Sequence, residues 1–362
     1  MERIMKNDNA TQEAPPPGRP LTLWYRQPAA IWDEALPIGN GRLGGMVFGG
    51  VDRERIQINE DTLWSRPPLD MHNADAREAL PKVRRLIFEG KIHEAELLAY
   101  DALMSVPKRI KPYQPVGDLW IAFDKDAESV GGYRRELDME EGIARVTYHD
   151  GETRFYREAF VSAVDQALVV HLWCAEPGMI SFRTGLAAIE PQPLDPERRA
   201  NYEAYAQKVM ADSDSDPLTV KQVQSTLKTF TQTPPAHVTT TASFPPDRVV
   251  LRGRADNGEG VRFAAMLRAI PEGGAVSADE GELMVSGADA VTLVLVAATS
   301  YAEGDIDGQD PVARCDAWLE SAGQKRYEEL RAAHVTDHKR LFNRVEIDLG
   351  DTPESIADLP TD

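Results

Sequence analysis

The run AVTLVLVAATSY, Ala290 to Tyr301, is the strongest constraint on what this chain can fold into. It contains no charge, no proline and no glycine. It is far shorter than the roughly 20 apolar residues that a bilayer span needs. Nor does it alternate between apolar and polar residues, as a strand with one wet face would. A Val/Leu/Ala run of this kind reads as a central strand buried on both faces.

Other segments carry the same signal more weakly. From Leu21 to about Asp70, short apolar runs such as LGGMVFGGV are split by glycines and read as strands with tight turns. Strand patterns return at GDLWIAFD (117–124) and continue through 133–175. There HDGE (149–152) predicts a hairpin with a type I′ turn, because Asp-Gly suits positive φ. Its flanks alternate, Ala144, Val146 and Tyr148 against Thr153, Phe155 and Arg157, the mark of antiparallel sheet with one face in and one out. Two more strand stretches, DRVVLRGRADNGEGVRFAAMLRAI and GELMVSG, lie between Asp247 and the opening run.

The period changes to helical in three places. Ala76, Leu80, Val83, Leu86 and Ile87 share one face, and Ile92, Ala95, Leu97 and Leu98 come after Gly90. The spacing predicts two helices over 74–104, broken at Gly90. Residues 191–247 are polar, flanked by prolines and partly helical, an excursion from the sheet. After Asp310, an N-cap with Pro311 at N1, come two helices and a short strand, with Gly323 closing the first helix. In the second helix Tyr327, Leu330, His334, His338 and Leu341 form one stripe. The expected fold is mainly β. It is a large antiparallel β-sandwich over 21–305 with short helical insertions, a disordered tail at 1–20 and a helical linker at 306–362.

Composition excludes several functions. The chain has 362 residues and a net charge of −19, from 59 acidic and 40 basic side chains. Such a surface repels nucleic acid and anionic lipid, so neither nucleic acid nor membrane is an expected partner. Cys174 and Cys315 lie in no CxxC or Cys/His cluster, so no disulfide framework or zinc motif is expected. The N-terminus lacks an apolar signal region, and the default reading is cytoplasmic.

Four motifs invite a chemical reading. Gly39-x-Gly41-x-x-Gly44 resembles a dinucleotide fingerprint, but the next segment, MVFGGVDRERIQI, is strand-like rather than helical, so tight strand connections explain the glycines better. Glu60 and Asp61 in INEDTLW are adjacent, whereas a glycosidase pair flanks its sugar from different elements. On a strand the two point to opposite faces, one buried and one solvated. A turn or domain-contact role is preferred for them. His93-Glu94 starts a zincin motif that lacks its second histidine. His334 and His338 stand four apart on a helix, which suits either a metal or a packed face; no third ligand is evident and packing is favoured. No Gly-x-Ser-x-Gly nucleophile signature exists.

Read in order, the blocks LWYRQPAAIWDEALPIGNGRLGGMVFGGVDRERIQINEDTLWS, YQPVGDLWIAF, GVRFAAMLRAIPEGGAV, VSGADAVTLVLVAATSY and HKRLFNRVEIDLG…LPTD resemble glycoside hydrolase family 95. That family contains α-L-fucosidases and, less often, α-L-galactosidases. The resemblance implies an N-terminal β-sandwich, a helical linker and then a catalytic (α/α)6 barrel, which this chain is expected to lack. It implies inverting hydrolysis of terminal α-L-fucosyl linkages without a cofactor, by carboxylates that belong to the barrel. No catalytic residue is therefore assigned here. The expected partners are the barrel of the same full-length protein and, for the intact enzyme, a fucosylated glycan. The resemblance points to Asn59, Glu60, Asp61 and Trp64 as a loop that meets the barrel or the sugar. It also places Thr361 by the barrel entrance. A free-standing carbohydrate-binding or interaction module is the alternative, as is the same domain of an α-L-galactosidase.

Overall fold

The computed structural model describes residues 18, 21–65, 70–108, 112–123, 130–189, 196–212, 215–230, 237–347, 350, 353, 356 and 359–361. The tail at 1–20, expected to be disordered, lies outside these residues except for Gly18. Two units are present. Unit one comprises Met1–Leu63, Gln114–Ile189 and His237–Asp362; unit two comprises Trp64–Tyr113 and Glu190–Ala236.

Unit one is built on two antiparallel sheets. The larger has nine strands in the order β1 (Thr22–Tyr25), β6 (Val130–Asp138), β7 (Ile143–Asp150), β8 (Thr153–Ser162), β9 (Ala167–Cys174), β16 (Ala290–Thr299), β13 (Arg262–Glu272), β12 (Arg248–Arg254) and β11 (Val238–Phe244). The smaller has seven, in the order β14 (Ala275–Asp279), β15 (Glu282–Ala288), β10 (Ile180–Ala187), β5 (Gly117–Ala122), β4 (Arg53–Glu60), β3 (Leu43–Val47) and β2 (Leu36–Gly39). Apolar side chains of both sheets meet in one core, among them Ile56, Ile58, Leu119, Phe182 and Leu283 from the smaller sheet. The sandwich expected from the sequence is therefore the observed fold.

The opening run explains how the sandwich is finished. All ten residues of β16 are buried. Val291, Leu293, Leu295 and Ala297 point into the core between the sheets. Val294, Val296 and Ala298 point the other way, into a second core. There they meet Cys315 and Leu319 of α6 (Pro311–Gly323) and Leu330 of α7 (Tyr327–Phe342). Antiparallel sheets usually keep one face in water. Here two helices cover that face, so the strand loses its alternation. The α6 cap is as expected, with the Asp310 carboxylate accepting the Val312 N–H at 2.9 Å and Pro311 at the start.

Three local expectations need correction. In the β7–β8 hairpin Asp150 pairs with Thr153, so the two loop residues are Gly151 and Glu152. Only Gly151 has positive φ, at 61°. That is the pattern of a type II′ turn, not type I′. The polar excursion ends before 247, because β11 already pairs along its length with β12. Its sequence, VTTTASF, is exposed and polar, which hid an edge strand whose β-branched threonines favour extended backbone. The strand expected after α7 is not found among the described residues: Val345 and Ile347 are exposed coil.

Unit two is helical. The insertion between β4 and β5 forms α1 (Ala76–Phe88) and α2 (Ile92–Ala102), separated where Gly90 takes φ 75°. The insertion between β10 and β11 forms α3 (Pro196–Ala211) and α4 (Pro217–Phe230).

Candidate functional site

The glycines after Leu36 make a hairpin rather than a phosphate cradle. Gly39 of β2 pairs with Gly44 of β3. Between them Gly41 takes φ 92°. The Asn40 side-chain oxygen accepts the N–H groups of Arg42 and Leu43 at 3.0 and 2.8 Å and locks the turn. The chain continues as a strand, not a helix, so no helix N-terminus is present here to bind a phosphate.

Strand β4 leads to the sequence candidates. Its inward face begins with Glu54, continues through Ile56 and Ile58 and ends with Glu60. Both glutamates are buried against arginine. Glu54 accepts the Gly49 N–H at 2.8 Å and pairs with Arg157. Glu60 is 2% exposed. One of its oxygens accepts the Thr62 N–H and hydroxyl at 2.9 and 2.7 Å. The other faces the Arg42 guanidinium at 3.3 Å. Burial pushes the Glu60 carboxyl above its usual range, while the Thr62 bonds and Arg42 pull it back. Arg42 also donates to the Ala297 carbonyl at 2.6 Å and to the Gln166 side chain at 2.6 Å, with its guanidinium over the Trp318 ring. A carboxylate so enclosed braces a strand end. Asp61 turns outward and is exposed, and Asn59 is half-buried on the outward face. The opposite-face expectation for Glu60 and Asp61 therefore matches the geometry.

The remaining candidates lie elsewhere. Trp64 belongs to unit two, where its ring meets Tyr113 edge-on at 5.4 Å and the two backbones form a bridge. Thr361 sits beside β1 in unit one. Its hydroxyl oxygen accepts the Trp24 N–H at 2.9 Å, and its own N–H donates to the Trp24 carbonyl at 2.9 Å.

The histidine pair on α7 is engaged by backbone. His334 Nε2 donates to the Glu141 carbonyl at 3.0 Å, and His338 Nε2 to that of Met139 at 2.9 Å. These bonds tie α7 to the β6–β7 connection, so both rings are part of the packing of that helix. Leu341, at the end of the expected stripe, is exposed.

Sequence reading missed one cluster. His93 Nδ1 lies 3.1 Å from Asp216 and 3.7 Å from Glu96, the donor types of a cation site. Asp216 is 123 residues from His93, so no local motif could reveal it. The cluster has a structural role without an ion: His93 bonds Asp216, whose other oxygen caps α4 by accepting the Thr219 N–H at 2.8 Å.

The fold is a two-sheet sandwich in which Glu54 and Glu60 of β4 are buried against Arg157 and Arg42. The comparisons give its class. The model for the glycosyl hydrolase family 65 N-terminal domain matches residues 23–204 and 204–304, and the chain belongs to that family. The Alpha-L-fucosidase 2 of Arabidopsis thaliana is 33% identical over 340 residues, which is 91% of this chain and 37% of the relative. Two proteins named "Probable alpha-fucosidase A" are similar as well. The one from Aspergillus niger is 26% identical over 94% of this chain and 39% of its own length. The one from Aspergillus oryzae is 25% identical over 92% of this chain and 42% of its own length. The chain thus spans about two fifths of the length of these relatives.

Proposed function

We propose that this chain is the non-catalytic N-terminal part of a family 95-type α-L-fucosidase. The observation that carries the reading is the colinear match to Alpha-L-fucosidase 2 across 91% of this chain and only 37% of the relative. In the intact protein, the sandwich supports an (α/α)6 barrel that hydrolyses terminal α-L-fucosyl linkages with inversion. There one carboxylic acid protonates the leaving oxygen and a second carboxylate activates water on the opposite face of the sugar. Neither step calls for a cofactor.

On this reading Asn59 and Asp61 of unit one and, separately, Trp64 of unit two present themselves to the barrel or the sugar, and Glu60 holds the end of β4. The exposed apolar residues Val345, Ile347, Ile356 and Leu359 support a partner surface beyond α7. The test compares fucose release from 2′-fucosyllactose by the purified 362-residue chain and by the intact enzyme. Release by the intact enzyme alone is expected; appreciable release by this chain, or none by the intact enzyme, overturns the reading.

A further inference from the structure

Unit two contains an open cleft of about 400 Å3, lined by none of the candidate residues read from the sequence. This volume lies within the range of small-molecule sites. Helix α3 contributes Tyr202 and Tyr205, one turn apart, with ring centroids separated by 5.9 Å and planes inclined by 57°. Helix α4 contributes Thr219, Gln222, Val223 and Thr226, whose spacing puts them on one helical face. Tyr100 from the end of α2, Met104, Lys108 and Ser225 also line it.

Charge decides what such a cleft accepts. Lys108 lies over the Tyr100 ring at 4.3 Å, as does Lys221 at 5.3 Å. Both ammonium groups are also paired with Asp101, at 3.2 and 2.5 Å. That carboxylate counters the charge a phosphate or carboxylate ligand would seek. On α4 the Thr219 hydroxyl donates to Asp216 at 2.9 Å and the Thr226 hydroxyl to the Gln222 carbonyl at 3.1 Å, which leaves ring surface on α3 and the uncharged Gln222 amide on α4. Tyr205 is half exposed, and the Gln222 amide makes no hydrogen bond among the described residues, so both are open to a ligand.

A pyranose presents complementary chemistry. Its axial C–H groups form an apolar face with partial positive charge, which suits the negative face of an aromatic ring. Its hydroxyls both donate and accept, as do a glutamine amide and threonine hydroxyls. We propose that this cleft binds a neutral oligosaccharide, with a sugar ring against Tyr202 and Tyr205 and its hydroxyls on the Gln222 amide. Binding here does not depend on fucosidic hydrolysis.

The test is titration of the full chain with 2′-fucosyllactose, lactose and cellotetraose, monitored by saturation-transfer NMR, with inorganic phosphate as the charged probe. At least one of the three sugars is expected to saturate. Tyr205→Ala and Gln222→Ala, both at exposed positions, should each weaken binding about tenfold. Tyr205→Phe keeps the ring and should bind as the parent does, and Met284→Ala, at an exposed position of β15 in unit one, should change nothing. The proposal is overturned if none of the sugars saturates up to about 20 mM, far above an ordinary affinity. Binding that survives both alanine variants, or that phosphate displaces, overturns it too. Each of these outcomes overturns this inference while leaving the proposed function standing, because that reading is tested by fucose release from the intact enzyme.

Discussion

The His171 imidazole lies flat on the Tyr327 ring, with centroids 3.7 Å apart and planes 8° from parallel. The contact joins β9 of the larger sheet to α7. Next to it Glu158 of β8 accepts from the Tyr327 hydroxyl, from Arg145 at 2.6 Å and from Arg331 at 3.0 Å. Burial alone would raise the Glu158 carboxyl. The hydroxyl and the two guanidinium groups outweigh it and hold the carboxyl below the usual range.

Acid should loosen this joint in two windows. Burial pushes His171 down to about 4, against the opposing pull of Glu158 and Glu328. The folded state keeps the ring neutral while the unfolded chain, with an ordinary pKa of about 6.5, takes up a proton. Stability from this residue is therefore complete above about pH 6.5 and is lost as pH falls toward 4, by on the order of 3 kcal/mol. His334 and His237 are lowered by burial and act in the same direction. The Glu158 contribution is lost only below its ordinary pKa of about 4.5. Urea midpoints at pH 7.5 and 5 should separate the windows. His171→Gln should flatten that slope, and an unchanged slope would reject the assignment.

Removing only the Tyr327 hydroxyl should cost about 1–2 kcal/mol, because Tyr327→Phe keeps the stack and loses one buried bond to a charge. Glu158→Ala should cost more, about 3–5 kcal/mol, since Arg145 and Arg331 lose a buried partner. Equilibrium unfolding of the two variants checks the order. Equal costs would mean that the ring contact, not the carboxylate, holds α7.

The neighbours Glu60 and Asp61 should behave as opposites. Glu60→Ala strands Arg42 and should destabilise the fold by about 3 kcal/mol. Asp61→Ala at an exposed position should change stability by less than about 0.5 kcal/mol. In the intact enzyme a loss of kcat/KM with Asp61→Ala at unchanged Tm would mark a domain or sugar contact. Parent-like kinetics would remove Asp61 from that role.

Thr361→Val deletes the acceptor of the Trp24 N–H and should cost about 1 kcal/mol. If the hydroxyl proton also reaches the sugar pocket, KM of the intact enzyme rises and Thr361→Ser restores it. Unchanged kinetics would leave Thr361 with its bond to Trp24 alone.

Val345 is 74% exposed and Ile347 76% exposed, with Ile356 and Leu359 nearby in sequence. The isolated chain should bind a hydrophobic dye or self-associate, and charged substitutions at 345 and 347 should suppress this. A monomer that binds no dye at high concentration would argue against a covered partner surface.

How much the sequence revealed depends on the range of each interaction. β16 was legible because both its faces are apolar, and the start of α6 because Asp310 and Pro311 act within one turn. β11 was not, because its threonines stay exposed and polar at a sheet edge. The hairpin was found but not its turn type, since register decides which two residues form the loop. The burial of Glu60 was readable from strand alternation. Its attachment through Arg42 to Ala297, 255 residues from that arginine, could not be read from local pattern. The cleft on α2, α3 and α4 was equally hidden, because two separate insertions build it.

The bond between Trp24 and Thr361 spans 337 positions. During synthesis at about 5–20 residues per second, β1 must wait roughly 17–70 s after it emerges before that partner exists. Until then the outer edge of the nine-stranded sheet offers a free backbone donor to any passing strand. The last described residues of the chain thus close the edge at which its first strand lies.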